Sequence, residues 1–169
     1  MRNLIRIIST GGTIDSSPEY NPKEKSVFNG TNLSRTLEDA RLTVSISHEP
    51  LFQKDSNDLD DIDRKQIWAS CVNAPEDRII VTHGTDTMTE TAQFLGAKGV
   101  GSKVVVLVGS FVPLSQKDSD AVFNLGYALA AAHLLPSGVW VAMGGETYAW
   151  NNVKKNREVG RFESITHSD

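Results

Sequence analysis

Residues Ile79–Phe94, IIVTHGTDTMTETAQF, constrain the fold more than any other stretch. Ile79, Ile80 and Val81 are a short β-branched run with no polar position among them, the pattern of a strand buried on both faces. Gly84 then marks a turn, and Met88, Thr91, Ala92 and Leu95 recur at helical spacing. Thr85, Asp86 and Thr87 fall where that helix is expected to start. Two readings stay open there. Thr and Asp are preferred helix caps, and free amides with the positive end of the helix dipole also suit an anionic ligand group.

The same strand-turn-helix grammar recurs along the chain. Asn3–Ser9 clusters Leu4, Ile5, Ile7 and Ile8 and ends at Thr10-Gly11-Gly12-Thr13, a small-residue turn that lets backbone approach a ligand closely. Lys103–Val108, KVVVLV, reads as another buried strand and ends at Gly109-Ser110. Helices are expected over Leu33–Ala40, from Asp60 or Asp61 through Cys71, and over Asp120–Leu134, with further strands at Leu42–Ser47 and Val139–Met143. His48-Glu49-Pro50-Leu51-Phe52 reads as an irregular link, and the tail from Thr147 shows no clear period. The alternation argues for an α/β chain: an open, mostly parallel, doubly wound sheet of flavodoxin-like type with helices on both faces, in a single domain. In such sheets ligands sit outside the carboxyl ends of the strands. The turns at Thr10, at His83–Asp86 and at Gly109-Ser110 should therefore line one crevice.

Composition narrows the partners. A net charge of −4 over 169 residues, with no basic block, argues against nucleic acid and against a membrane surface. The single cysteine, Cys71, rules out an intrachain disulfide and a cysteine-based zinc site, and its helical, apolar setting predicts a core thiol. The N-terminal residues lack the apolar core of a signal peptide, so a cytoplasmic location is expected. Asp58, Asp60, Asp61 and Asp63 are best explained as a helix N-terminus, and no metal or other cofactor is expected.

Taken in order, TGGTID at Thr10–Asp15, KDSND at Lys54–Asp58, HGTDTM at His83–Met88, GSFVP at Gly109–Pro113, SDAVFN at Ser119–Asn124 and NVKKN at Asn152–Asn156 resemble the bacterial L-asparaginases. The likeness runs from Ile7 to about Ser164. Lys155-Asn156-Arg157 through Gly160-Arg161-Phe162-Glu163 is most similar to short members that stop after the large N-terminal domain. The resemblance thus implies one catalytic domain over residues 1–169, a mobile lid over 15–30 and no second domain. It implies an amidohydrolase that converts L-asparagine and water to L-aspartate and ammonia, with L-glutamine left open, working as a homodimer or homotetramer. It assigns Thr10 as nucleophile, Tyr20 as the lid tyrosine, and Thr85, Asp86 and Lys155 as a second hydroxyl–carboxylate–cation set. Substrate contacts fall to Gly11, Ser56, Asn57, Gly84 and Ser110, with Ser56 on the α-carboxylate and Asn57 standing where many relatives have another residue. A non-catalytic amino-acid-binding module and an amidotransferase component are the rival readings of this fold.

Overall fold

The computed structural model describes residues 4–16 and 31–166. Five parallel strands form its centre: β1 (Leu4–Gly11), β2 (Ser45–Lys54), β3 (Arg78–Thr82), β4 (Val104–Val108) and β5 (Gly138–Met143). They lie in the order β2-β1-β3-β4-β5, and β6 (Glu146–Ala149) adds an antiparallel edge beyond β5. Val104–Val108 is buried at every position, as its unbroken β-branched run requires of a central strand.

Helices cover both faces. α2 (Asp61–Asn73) and α3 (Met88–Lys98) place Ile67, Cys71, Met88, Ala92 and Leu95 against Ile79, Val81, Val105 and Leu107. α1 (Thr31–Asp39) and α4 (Ala121–Leu134) place Leu33, Leu125 and Ala128 against Ile5, Ile7, Ile80 and Val106. Odd and even positions of β3 and β4 thus feed two separate cores, the alternation every strand imposes. The expected doubly wound sheet is the observed one. Cys71 is fully buried, and burial pushes its thiol up to about 12, so it is an inert core group.

Three departures from the sequence reading have local causes. β2 does not stop at Ser47 but runs through His48-Glu49-Pro50-Leu51-Phe52 to Lys54. Pro50 is tolerated because β2 is an edge strand, and the pairing with β1 slips there, Ser9 facing Pro50 and Gly11 facing Lys54. The tail holds three short strands, β6 and the hairpin β7 (Lys154–Asn156) with β8 (Arg161–Glu163), each too brief to show a period. Finally, α3 begins at Met88, after Thr85 and Asp86 rather than on them.

The chain passes from β1 to β2 on one side of the sheet and then to β3 on the other. Their carboxyl ends therefore diverge at the β1/β3 boundary, the switch point where a crevice opens. Among the described residues no helix is long and apolar enough to cross a membrane.

Candidate active site

Glycine lets three chain segments stack at that switch point. Gly12 has φ 76° and ψ −177°, a conformation essentially confined to glycine, and a β-carbon on it would run into the backbone of His83 and Gly84. A β-carbon on Gly84 would come within 2.6 Å of the Ser56 hydroxyl. The Thr10, Ser56 and Thr85 turns are thus brought together by residues without side chains.

Thr10 closes β1, 1% exposed, and its hydroxyl donates to the Thr82 carbonyl at 2.8 Å. The Thr82 hydroxyl donates in turn to Asp15 Oδ2 at 2.7 Å, and that oxygen also accepts the Gly11 N–H at 3.2 Å. The Gly12 N–H goes to the Lys54 carbonyl at 3.0 Å. Both glycine amides of this turn are therefore spent on holding it, and in this conformation neither points at a ligand.

Asp15 is a residue that sequence reasoning missed, although it closes the TGGTID motif. Its Oδ1 is buried without a hydrogen-bond partner. Burial, opposed by the bonds from Thr82 and Gly11, pushes the carboxyl up to about 6 from an ordinary 3.8. The sign follows from linkage. Below about pH 4 both folded and unfolded chains are protonated at this group, and nothing is lost. Between about 4 and 6 the folded state keeps a proton that the unfolded chain releases, so stability falls by roughly 3 kcal/mol as pH rises through that window. Asp15→Asn is expected to abolish this component. The difference between wild-type and variant unfolding free energies, measured by urea titration at about pH 4 and pH 7, should change by roughly 3 kcal/mol; equal pH slopes would refute the assignment.

The second set is assembled from elements far apart in sequence. Lys155 Nζ, carried by β7, donates to Thr85 Oγ1 at 2.8 Å and to Asp86 Oδ1 at 2.7 Å. Its side chain is 13% exposed and stands 5.4 Å from the Phe111 ring centre. Lys154, its neighbour, points instead to Glu163 at 3.9 Å, which settles the register between the two lysines. The Lys155 bond, ahead of the Asn57 amide and Arg157, holds Asp86 below the usual carboxylate range.

Asp86 consequently does not cap α3. Thr87, at the N-cap, makes no capping bond either; its hydroxyl donates to the Ser56 carbonyl at 2.6 Å and ties the two turns together. Asn57 Nδ2 bridges Asp55 Oδ1 at 2.9 Å and Asp86 Oδ2 at 3.2 Å. Ser56 is 3% exposed, beneath Gly84. Ser110 is fully buried after β4, and its hydroxyl donates to the Val112 carbonyl at 2.7 Å. Asn124 supports this third turn, donating to the Gly109 carbonyl and accepting the Gly144 N–H, both at 3.1 Å. Tyr20, and the lid expected over 15–30 apart from Asp15 and Ser16, lie outside the described residues.

Two neighbouring groups have purely structural partners. His83 is fully buried, bonded to the Gly84 carbonyl and the Thr91 hydroxyl, and burial pushes its pKa down to about 4, so it stays neutral at pH 7. Asp60 forms a capping box with Asp63, and the Asp63 carboxylate also takes the Lys54 ammonium at 2.6 Å. Two of the four clustered acids are thereby committed to the start of α2.

The arrangement is a buried threonine on one side of a strand-end crevice and a threonine–lysine–aspartate cluster on the other. Residues 4–168 match the family model described as "Asparaginase, N-terminal". The chain is 32% identical over 180 residues to L-asparaginase 2 of Escherichia coli, covering 96% of this chain and 50% of that protein. It is 35% identical over 155 residues to a glutamyl-tRNA(Gln) amidotransferase component of Aeropyrum pernix, covering 85% of this chain and 35% of that one. The thermostable L-asparaginase from Thermococcus kodakarensis superposes with a TM-score of 0.87 at 28% identity, over 98% of this chain and 52% of that one. The chain thus spans about half, or less, of the length of these relatives. A match along nearly every described residue, in sequence and in fold, places this chain in the asparaginase N-terminal family.

Proposed function

We propose that the chain carries the catalytic half-site of an L-asparagine amidohydrolase, with Thr10 as nucleophile. The observation that carries this reading is the contact of Lys155 with both Thr85 and Asp86 across 70 and 69 residues of sequence, beside the Thr10 turn. A lysine, a hydroxyl and a carboxylate in mutual contact at a sheet's switch point suit proton transfer at a bound ligand better than they suit stability alone.

In the proposed reaction Thr10 Oγ1 attacks the side-chain amide carbon. The C–N bond breaks, ammonia leaves with the hydroxyl proton, and an acyl ester remains on Thr10. Water then cleaves the ester and returns a proton to Thr10. Lys155 donates to the Thr85 oxygen, which leaves the Thr85 hydroxyl hydrogen free to orient toward that water or the leaving group. Tyr20 is assigned the activation of Thr10. Since the Gly11 and Gly12 amides are already bonded, and those of Phe111 and Val112 are bonded to Asp120, the developing oxyanion falls to the backbone amides of the turn before α3 and to that of Ser110. Ser56, Asn57 and Gly84 shape the subsite for the α-carboxylate, and Asp86 faces the α-ammonium.

A homodimer or homotetramer is proposed to complete the site at the carboxyl ends of β1 and β3. Ammonia release from L-asparagine and from L-glutamine by purified protein, with the solution mass measured in parallel, tests the reading. L-glutamine is included because several relatives are named as components of a glutamyl-tRNA(Gln) amidotransferase. Aspartate binding without ammonia release from either amide would replace the enzyme with a binding module.

A further inference from the structure

Asp15 ends the short helical turn Thr13–Asp15 that follows β1, and it is only 5% exposed. Its Oδ2 accepts from two residues that each control Thr10. The Gly11 N–H, at 3.2 Å, belongs to the planar peptide unit that also holds the Thr10 carbonyl, so this bond fixes the backbone on one side of Thr10. The Thr82 hydroxyl, at 2.7 Å, anchors the residue whose own carbonyl takes the Thr10 hydroxyl at 2.8 Å. One carboxylate oxygen thereby grips Thr10 twice, through its backbone and, by way of Thr82, through its hydroxyl. A carbonyl accepts a hydrogen bond but takes no proton, so the Thr82 contact orients the Thr10 oxygen without activating it.

This carboxylate is unfavourable for the fold. Its donors are a hydroxyl and an amide rather than a cation, Oδ1 has no partner, and the folded chain weakens as the group ionises. A costly buried group beside a reacting atom is the pattern of a site where placement outweighs stability. An ionised oxygen also holds a hydroxyl more tightly than a neutral one does, and the Thr82 contact has the length of such a bond.

We propose that Asp15 is a positioning residue for Thr10, holding the Thr10 hydroxyl in line for attack through the Gly11 N–H and the Thr82 hydroxyl without touching the substrate itself. For its effect on rate this inference rests on the reading of Thr10 as nucleophile; for the placement of Thr10 it rests on the hydrogen bonds alone.

The test combines steady-state kinetics, at a temperature where the variants are folded, with crystal structures of wild type and Asp15→Ala. Asp15→Ala removes both grips and is expected to lower kcat for L-asparagine by about 10²-fold, the cost of misplacing a reacting group by about 1 Å, with KM changed by less than about threefold. Asp15→Asn keeps an oxygen for both donors and should restore kcat to within about fivefold of wild type. Thr82→Val removes the hydroxyl and leaves the carbonyl. It should lower kcat by about tenfold alone and by nothing further in the Asp15→Ala background, because groups that act as a unit are not additive. Cys71→Ala, a core substitution outside the site, controls for lost stability and should leave kcat unchanged. In the Asp15→Ala crystal the Thr10 hydroxyl should no longer lie within hydrogen-bond distance of the Thr82 carbonyl.

Wild-type kcat in Asp15→Ala, additive losses in the double variant, an unmoved Thr10 hydroxyl, or an equal loss of kcat in Cys71→Ala overturns the proposal. Where Asp15→Ala does not fold, Thr82→Val decides from the other end of the same contact: a tenfold loss supports the proposal and wild-type kcat overturns it. If wild type hydrolyses neither amide, the amidohydrolase reading falls and the crystal structures alone decide, a displaced Thr10 hydroxyl upholding the positioning role. If wild type hydrolyses L-asparagine and Asp15→Ala does so equally well, the reading stands and the inference falls.

Discussion

Thr10→Ala is expected to lower the rate of ammonia release from L-asparagine by on the order of 10³-fold or more, with a much smaller effect on stability. The magnitude follows from losing the group that forms the covalent bond. The stability cost is bounded separately. The Thr10 hydroxyl donates to the Thr82 carbonyl at 2.8 Å, and losing this buried hydrogen bond costs about 0.5–1.5 kcal/mol. The two effects separate by measurement: chemical denaturation reads the hydrogen bond and single-turnover kinetics read the nucleophile. Thr10→Ser keeps both groups and should retain most of the stability and part of the rate. A Thr10→Ala protein that retains wild-type turnover would transfer the nucleophile's role to Thr85, whose oxygen already accepts from Lys155.

Gly12→Ala is expected to weaken folding strongly, costing about 3 kcal/mol or more. Two independent penalties add. At φ 76° and ψ −177° any L-residue is strained, and the new β-carbon would run into the backbone of His83 and Gly84 rather than into a movable side chain. Because the collision is backbone against backbone, relief requires moving the β1 turn away from the β3 turn. The site opens as the fold weakens. Gly101→Ala is the matched control, with a comparable φ of 64° and nothing within 4 Å of its β-carbon, so it meets strain alone. A cost of about 1 kcal/mol is expected there. Equal losses in the two variants, measured as unfolding free energies in urea, would refute the close-packing account of the switch point.

Much of this architecture is legible in the residues. Ile79–Val81 and Lys103–Val108 announce buried strands because no polar group interrupts them, and the spacing of Met88, Thr91, Ala92 and Leu95 places a helix face on one of the cores. β2 escapes recognition at His48–Phe52 because edge strands tolerate Pro50 and mixed polarity, which removes the pattern by which strands are identified. The helix start expected at Thr85–Thr87 falls later, at Met88, for a related reason. Capping residues and ligand-binding residues are the same types, and only the partner distinguishes them. Here Asp86 turns to Lys155 and Thr87 to Ser56, so neither caps.

By itself the sequence determined the alternation of apolar strands and helices, hence a parallel sheet, and the small-residue turns at the strand ends. Those are local matters, set by periodicity and by the conformational freedom of glycine. Only the tertiary structure decided that Lys155 rather than Lys154 reaches Thr85, that Asp15 is buried with one oxygen unpaired, and that Arg157 shares Asp86 with Lys155. Each of these depends on where a side chain points after distant stretches of chain, 67 to 71 residues apart for Asp15, Lys155 and Arg157 and their partners, have folded together. No local propensity carries that information, and the direction of one side chain determines which charges meet.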